Sequence, residues 1–205
     1  TAGRGQRGNT WNAEPNQNLT LSYLLRPPHQ LVEKQFYLSK AIANGILAGL
    51  EAWARATQSE NFNFEIKWPN DIYLDGIKMG GILIENNFQA GQWSFAIIGI
   101  GLNINQKHFG PIRGTSLRSY LQLSHEIPLE EIYKHISQGI EESYVLFLKR
   151  QFSTIDEIYH ERLFRRGLWA LYESENEKFE GKILGVNEQG LLEIEKEFTD
   201  RKSVV

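Results

Sequence analysis

The residues best suited to chemistry in this 205-residue chain are Lys67 and Asp71, within Lys67-Trp68-Pro69-Asn70-Asp71, and the paired glycines of Lys78-Met79-Gly80-Gly81-Ile82 just downstream. A lysine and a carboxylate facing one place suit work on phosphate, where a cation neutralises oxygens and an acid holds Mg2+. The same two residues also describe a surface Lys–Asp pair beside a turn, and these five residues alone do not separate the readings. Gly80-Gly81 lets a strand bring bare backbone close to a ligand, although such a pair inside a strand also marks a bulge.

The elements around these residues follow from periodicity. Phe64, Ile66 and Trp68 alternate with Glu65 and Lys67, which predicts a strand with Lys67 on the face opposite the apolar one. Pro69 has no N–H for a ladder and ends it. Asp75-Gly76 between Ile72-Tyr73-Leu74 and Ile77-Lys78-Met79 predicts a tight hairpin, after which Ile82 to Glu85 resumes the strand. Leu19, Leu21, Tyr23 and Leu25 predict an earlier strand, and a helix is expected from Ser39 as N-cap to about residue 57. Gly45 and Gly49, four apart, are expected to permit close packing of this helix on the sheet. Asn86 to Gly91 reads as a turn, and Trp93 to Ile100 as a further strand, of the kind that pairs as an edge across a two-fold axis. Pro128 opens a long helix with Leu129, Ile132, Ile136, Ile140, Tyr144 and Phe147 on one face. Thr154-x-x-Glu157 reads as a capping box for a second helix reaching about Arg165. From Gly167 the pattern changes to short strands joined by polar turns.

The first 18 residues contain Gly3, Gly5, Gly8, Arg4 and Arg7 with few apolar groups, and read as a mobile loop. Gly3-x-Gly5-x-x-Gly8 formally fits a dinucleotide-binding fingerprint. Its context does not, because no strand precedes it and Pro15 follows where a helix should open. Glycines let a backbone wrap an anion, and Arg4 and Arg7 bring positive charge to a carboxylate or phosphate.

Three stretches together resemble a known family. KWPNDIYLDGIKMGGILIE resembles the core motif of biotin protein ligases, GRGQRGNTW (Gly3 to Trp11) is similar to their biotinyl-adenylate loop, and Ile98-Gly-Ile-Gly-Leu-Asn103 to the strand carrying an adenine-contacting asparagine. Order and spacing agree, and the resemblance covers nearly the whole chain. It implies an α/β fold, a mixed β-sheet backed by helices in the manner of class II synthetases, as a catalytic domain over 1–166. An SH3-like barrel over 167–205 is expected after it. It implies an ATP-dependent enzyme that makes biotinyl-5′-AMP and passes biotin to a lysine of a biotin carboxyl carrier protein, with Mg2+ accompanying ATP. The residues it points to are Lys67 as the catalytic cation, and Gly3, Arg4, Gly5, Gln6, Arg7, Trp11, Gly80 and Gly81 around biotin and its adenylate. Trp11 and Asn103 are expected at the adenine, and Asp71 at Mg2+ or orienting Lys67. Asn105 is expected to serve turn chemistry only.

This sequence also departs from the pattern. The family's ureido-binding residues precede the loop and have no counterpart here. Gln6 stands where well-known members carry arginine, and nothing corresponds to the helix-turn-helix of the repressor members. A lipoate ligase or octanoyl transferase is the nearest rival, and a non-catalytic sensor of biotin or its adenylate is a rival of another class.

Composition sets the remaining bounds. With 41% hydrophobic residues the chain can bury an ordinary core. A net charge of -3 argues against broad nucleic-acid binding. The absence of cysteine excludes a disulfide scaffold, a thiolate zinc site and a cysteine nucleophile. The five histidines lack metal-ligand spacing. The longest apolar stretch, Ala41 to Ala54, contains Asn44 and Glu51, so no membrane span is expected, and cytoplasm is the default location.

Overall fold

The computed structural model describes residues 3–5, 10–11, 13–59, 62–109, 113–174 and 177–197. Two compact units divide the chain, residues 1–164 and 165–205; the boundary expected from the change of pattern was at 166.

The first unit is built on a five-stranded sheet in the order β3-β7-β6-β5-β4, with β3 Asn18–Leu25, β4 Phe64–Lys67, β5 Asp71–Leu74, β6 Ile77–Gln89 and β7 Gln92–Asn103. Every pairing between these strands is antiparallel, so the sheet is not the mixed one expected. The reason is local: β4, β5, β6 and β7 follow one another through short turns, which only antiparallel neighbours allow. Asp75 and Gly76 both have positive φ, 43° and 73°, as the tight hairpin turn between β5 and β6 demands. Asn86 does not begin a turn. β6 continues through it to Gln89, with a bulge at Asn87/Phe88, and reverses at Ala90-Gly91. β7 is flanked by β3 on one side and β6 on the other, so it offers no free edge over most of its length for pairing with a second copy.

Among the described residues four helices accompany the sheet, three of them packed together over one face. α1 Gln35–Ala56 starts four residues before Ser39, which lies inside it, and its N-cap Lys34 makes no side-chain cap bond. A 3-10 turn over His29–Lys34 leads into it and positions the first turn without a capping hydroxyl. A short α2, Leu117–Tyr120, is capped by Ser116, whose Oγ accepts from the Ser119 N–H at 3.1 Å. α3 Leu129–Leu148 buries Ile132, Ile136, Ile140 and Phe147 along one stripe. α4 Phe152–Glu161 begins before Thr154, with Gln151 at the N-cap and no capping box, and ends short of Arg165.

The glycines of α1 face α3, not the sheet. A Cβ on Gly45 would meet Gly139 O and Ile140 Cα at 2.7 Å, and one on Gly49 would meet Ile136 Cα at 2.6 Å. The two helices approach until backbone touches backbone. α4 is tied to α1 by Lys40, fully buried, whose Nζ lies 2.5 Å from Asp156 Oδ1. Tyr37 donates to the other Asp156 oxygen at 2.8 Å, and Asn44 Nδ2 to Ile155 O at 2.9 Å.

The small unit is a three-stranded antiparallel sheet, β8 Trp169–Ser174, β9 Glu177–Val186 and β10 Leu192–Lys196, in the order β10-β9-β8. The described strands form an open sheet; the closed barrel expected there is not what they form. No helix among the described residues is long and apolar enough to cross a membrane.

Candidate functional site

The register places two cross-strand rows one residue apart. Ile66, Ile72, Gly80, Leu102 and Leu19 are successive partners from β4 to β3, and all lie buried on the helix-covered face. Shifting every strand by one residue gives Lys67, Asp71, Gly81, Gly101 and Thr20 on the opposite face, because side chains alternate along a strand. The second row is a cation and a carboxylate followed by two bare stretches of backbone.

Trp11 lies on this row. Within the segment expected to be a mobile loop, β1 Gly3–Arg4 pairs with β2 Thr10–Trp11 as a two-residue antiparallel ribbon. It brings the Trp11 indole onto Gly101, where a Cβ would meet Cε2 at 2.5 Å and Nε1 at 2.8 Å. Only glycine leaves room for the ring at this place on β7. The indole N–H is shielded and has no partner. Gly5 is half-buried beyond the ribbon. Gln6, Arg7 and the side chain of Arg4 lie outside the described residues.

Asn103 follows Gly101 on the same face. Around it sit three other buried amides, each bonded at both ends. Asn18 donates to Gln106 and accepts from Ile104 N, Asn105 bonds Ile127 O at 2.9 Å and Ile127 N at 2.8 Å, and Gln106 donates to His108 O at 2.6 Å. Asn105 is therefore a clamp between two loops, more than local turn chemistry. Of these four amides Asn103 alone has a side-chain oxygen with no partner, although only 6% of the residue is exposed. A buried amide oxygen left open costs about 1–3 kcal/mol, which a donor on a ligand would remove. Asn18 and Gln106, which stiffen this end of β7, carried no sequence signal: both look like ordinary loop amides.

The cationic end differs from expectation. Lys67 is exposed, with Nζ 5.5 Å from the centre of the Tyr73 ring. Asp71 is its cross-strand partner in register, but the carboxylate pairs with Lys78, Nζ to Oδ1 at 2.6 Å. Lys78 partners Tyr73, so it emerges on the same face beside Gly81. Its carbonyl accepts from Thr115 N at 2.9 Å, which fixes the backbone there. Sequence reading passed over Lys78 because its partner is set by the bulge at Ile72/Tyr73, which a motif does not reveal. Asn70 holds the turn between Lys67 and Asp71 onto β6, donating to Ile82 O at 2.8 Å and accepting from Ile82 N at 2.9 Å.

Gly80 and Gly81 part company. Gly80 faces the helices, with Leu102 filling the place of its absent side chain, so it does not face the row as expected. A Cβ on Gly81 would meet Asn70 O and Asp71 Oδ1 at 3.7 Å, ordinary contact distance, so the position is not crowded. The residues present do not make a magnesium site by themselves. Lys78 holds one Asp71 oxygen, and no group of three or more histidines or carboxylates suited to a metal occurs among the described residues.

Comparison with known proteins agrees with this layout. Residues 1–103 match the Biotin/lipoate A/B protein ligase family, a span that runs through the row to Asn103. The chain is 31% identical over 198 residues to the bifunctional ligase/repressor BirA of Bacillus spizizenii, covering 95% of this chain and 59% of that protein. It is 27% identical over 177 residues to biotin–protein ligase 2 of Arabidopsis thaliana, covering 85% and 52%. The chain thus spans 59% or less of the length of these curated relatives. The solved biotin protein ligase of Aquifex aeolicus in complex with biotin and ATP shares the fold, with a TM-score of 0.73 at 24% identity over 95% of this chain and 80% of that one. With the matched half containing every strand of the five-stranded sheet, the chain belongs to the Biotin/lipoate A/B protein ligase family.

Proposed function

We propose that this chain is the catalytic part of an ATP-dependent biotin protein ligase. The observation that carries the reading is the open-face row, in which Trp11 lies on Gly101, the unpartnered Asn103 oxygen lies beyond it, and bare backbone leads to a Lys–Asp pair. Adenine stacks on the indole and donates its amino group to Asn103 Oδ1. The acyl chain lies along Gly81, beside the Trp11 ring that covers Gly101. The biotin carboxylate attacks the α-phosphorus of ATP. A carboxyl O–P bond forms, the bond to the β-phosphate oxygen breaks, and pyrophosphate leaves. A lysine amine of a carrier domain then attacks the acyl carbon, an amide forms, AMP leaves and the amine gives up a proton.

The attacking carboxylate is already an anion, so the step needs charge neutralisation more than proton transfer. Two lysines compete for that task. Lys67 stands on β4, three strands from β7, about 14 Å away at the usual strand spacing of roughly 4.8 Å. Lys78 stands on β6, next to β7 and beside Gly81. A phosphate held below an adenine on Trp11 meets Lys78 first, so we assign it the neutralising role, with Asp71 restraining its ammonium. Lys67 contributes longer-range charge. Magnesium enters only as the ion that travels with the ATP phosphates, and no step is routed through it.

Within this reading residues 1–164 are the catalytic domain of class II synthetase type, and residues 165–205 are an SH3-like module, supported by the small antiparallel sheet. The macromolecular partner is a biotin carboxyl carrier domain. Pyrophosphate release with biotin, lipoate or octanoate as acid tests the reading. Release with biotin alone is expected, falling about 100- to 1,000-fold in Lys78→Ala, the usual cost of one electrostatic group in such a site, and less than about tenfold in Lys67→Ala. Release with lipoate or octanoate would move the chain to the lipoate side of its family. Binding without release would make it a sensor. The opposite ranking of the two lysines would return the role to Lys67.

A further inference from the structure

Lys67 stands between two carboxylates and pairs with neither. Asp71, its cross-strand partner, is bound to Lys78 at 2.6 Å. Glu65, two residues back on the same face, accepts the Gly76 N–H at 2.9 Å. The Lys67 ammonium lies instead over the Tyr73 ring, 5.5 Å from its centre, and makes no ion pair among the described residues. A ring face attracts a cation through its quadrupole and carries no net charge to cancel it. A carboxylate in that place would neutralise the lysine as it held it.

Tyr73 is itself held. Its ring packs on Phe164, with centroids 5.0 Å apart and planes tilted by 45°. Phe164 arrives on a short strap that closes the outer edge of β4. The Ile66 N–H donates to Arg162 O at 2.8 Å, and the Phe164 N–H donates to Ile66 O at 2.9 Å. Leu163 bridges Ile66 in parallel and is buried like it, so the next residue falls on the open face with Lys67 and Tyr73. Arg162 anchors the strap to α1 through both oxygens of Glu51, at 2.9 and 3.0 Å. We propose that Tyr73, backed by Phe164, is a positioning residue that holds the Lys67 ammonium over the open face with its charge uncancelled, ready for an anion. This role rests on the reaction proposed above, in which the carboxylate of biotin and the phosphates of ATP repel each other.

Pyrophosphate release from biotin and MgATP, read beside proton NMR of the Lys67 side chain, tests it in the intact protein. The Lys67 Cε protons, identified by their loss in Lys67→Ala, are expected upfield of their place in the urea-unfolded chain, because the ring shields them. Tyr73→Leu is expected to remove that shift and to slow release about two- to fivefold, the worth of a cation–ring contact at an exposed site. Tyr73→Phe keeps the ring face and is expected to retain both shift and rate, while Phe164→Leu lowers both partway. In the Lys67→Ala background Tyr73→Leu should slow release no further, whereas a purely structural loss would add. The proposal is overturned if wild type shows no upfield shift, or if Tyr73→Phe falls as far as Tyr73→Leu. It is likewise overturned if Tyr73→Leu slows Lys67→Ala by the same factor as wild type. No release from wild type, with the shift present, would overturn the reaction itself and leave nothing for Tyr73 to position.

Discussion

The two faces of the five-stranded sheet use the same strands, one residue out of step, for opposite ends. On the covered face, Gly80 is small because Leu102 needs the room, and the row from Ile66 to Leu19 is closed by α1 and α3. On the open face, Gly81 has no neighbour closer than 3.7 Å to the place of its absent side chain, while the room over Gly101 is taken by an aromatic ring from another element. Missing side chains therefore make room for packing at Gly80 and Gly101 and leave Gly81 without a close neighbour. Adjacent glycines in one motif have different jobs, and only the face they point to separates them.

The covered face should break hardest at the helix contact. Gly139→Ala would place a methyl against the backbone of Gly45 and 2.9 Å from Gly49 N. Alanine gains about 1 kcal/mol over glycine in a helix interior. A net loss of about 3 kcal/mol in chemical denaturation is expected nonetheless, because backbone cannot yield. A stabilised variant would show that α1 and α3 are not in contact there.

Gly80→Ala and Gly81→Ala sharpen the comparison directly. The first drives a methyl into Leu102 and is expected to cost about 2 kcal/mol of stability. The second meets only atoms at 3.7 Å and should stay within about 0.5 kcal/mol of wild type, while its affinity for biotin in calorimetry falls. Equal stabilities for the two variants would erase the distinction between the faces.

Gly101→Ala is expected to lift Trp11 from the sheet. ATP affinity should drop about tenfold, close to 1.4 kcal/mol, with little change in denaturation midpoint. An unchanged affinity would remove Trp11 from the adenine site.

The smallest effect concerns Glu65, on the open face of β4. Burial raises its carboxyl above the ordinary value, partly offset by the Gly76 N–H that donates to it at 2.9 Å. A carboxyl raised in the folded state destabilises the fold where it is ionised, above its folded value, and the penalty disappears as pH falls below its unfolded value. Glu65→Gln should therefore gain less than about 0.5 kcal/mol at pH 7 and nothing near pH 3. A gain that grows on acidification would reverse the sign.

Local patterns announced much of this protein. Alternation along Phe64-Glu65-Ile66-Lys67 put Lys67 opposite the core, Asp75-Gly76 announced its turn, and the apolar stripe of α3 its buried side. These are properties of a few neighbouring residues, written in periods of two and 3.6 and in the φ values that glycine and aspartate tolerate. What tertiary structure alone decided is which residues meet. The bulge at Ile72/Tyr73 handed Asp71 to Lys78, the pairing order enclosed β7 between β3 and β6, and Gly45 and Gly49 turned to a helix instead of the sheet. Helix starts moved too, because packing of α1 and α4 on each other outweighs the few tenths to 2 kcal/mol of a cap at Ser39 or Thr154. Partners distant in sequence are chosen by register and burial summed over the whole sheet, and no stretch of ten residues contains that sum.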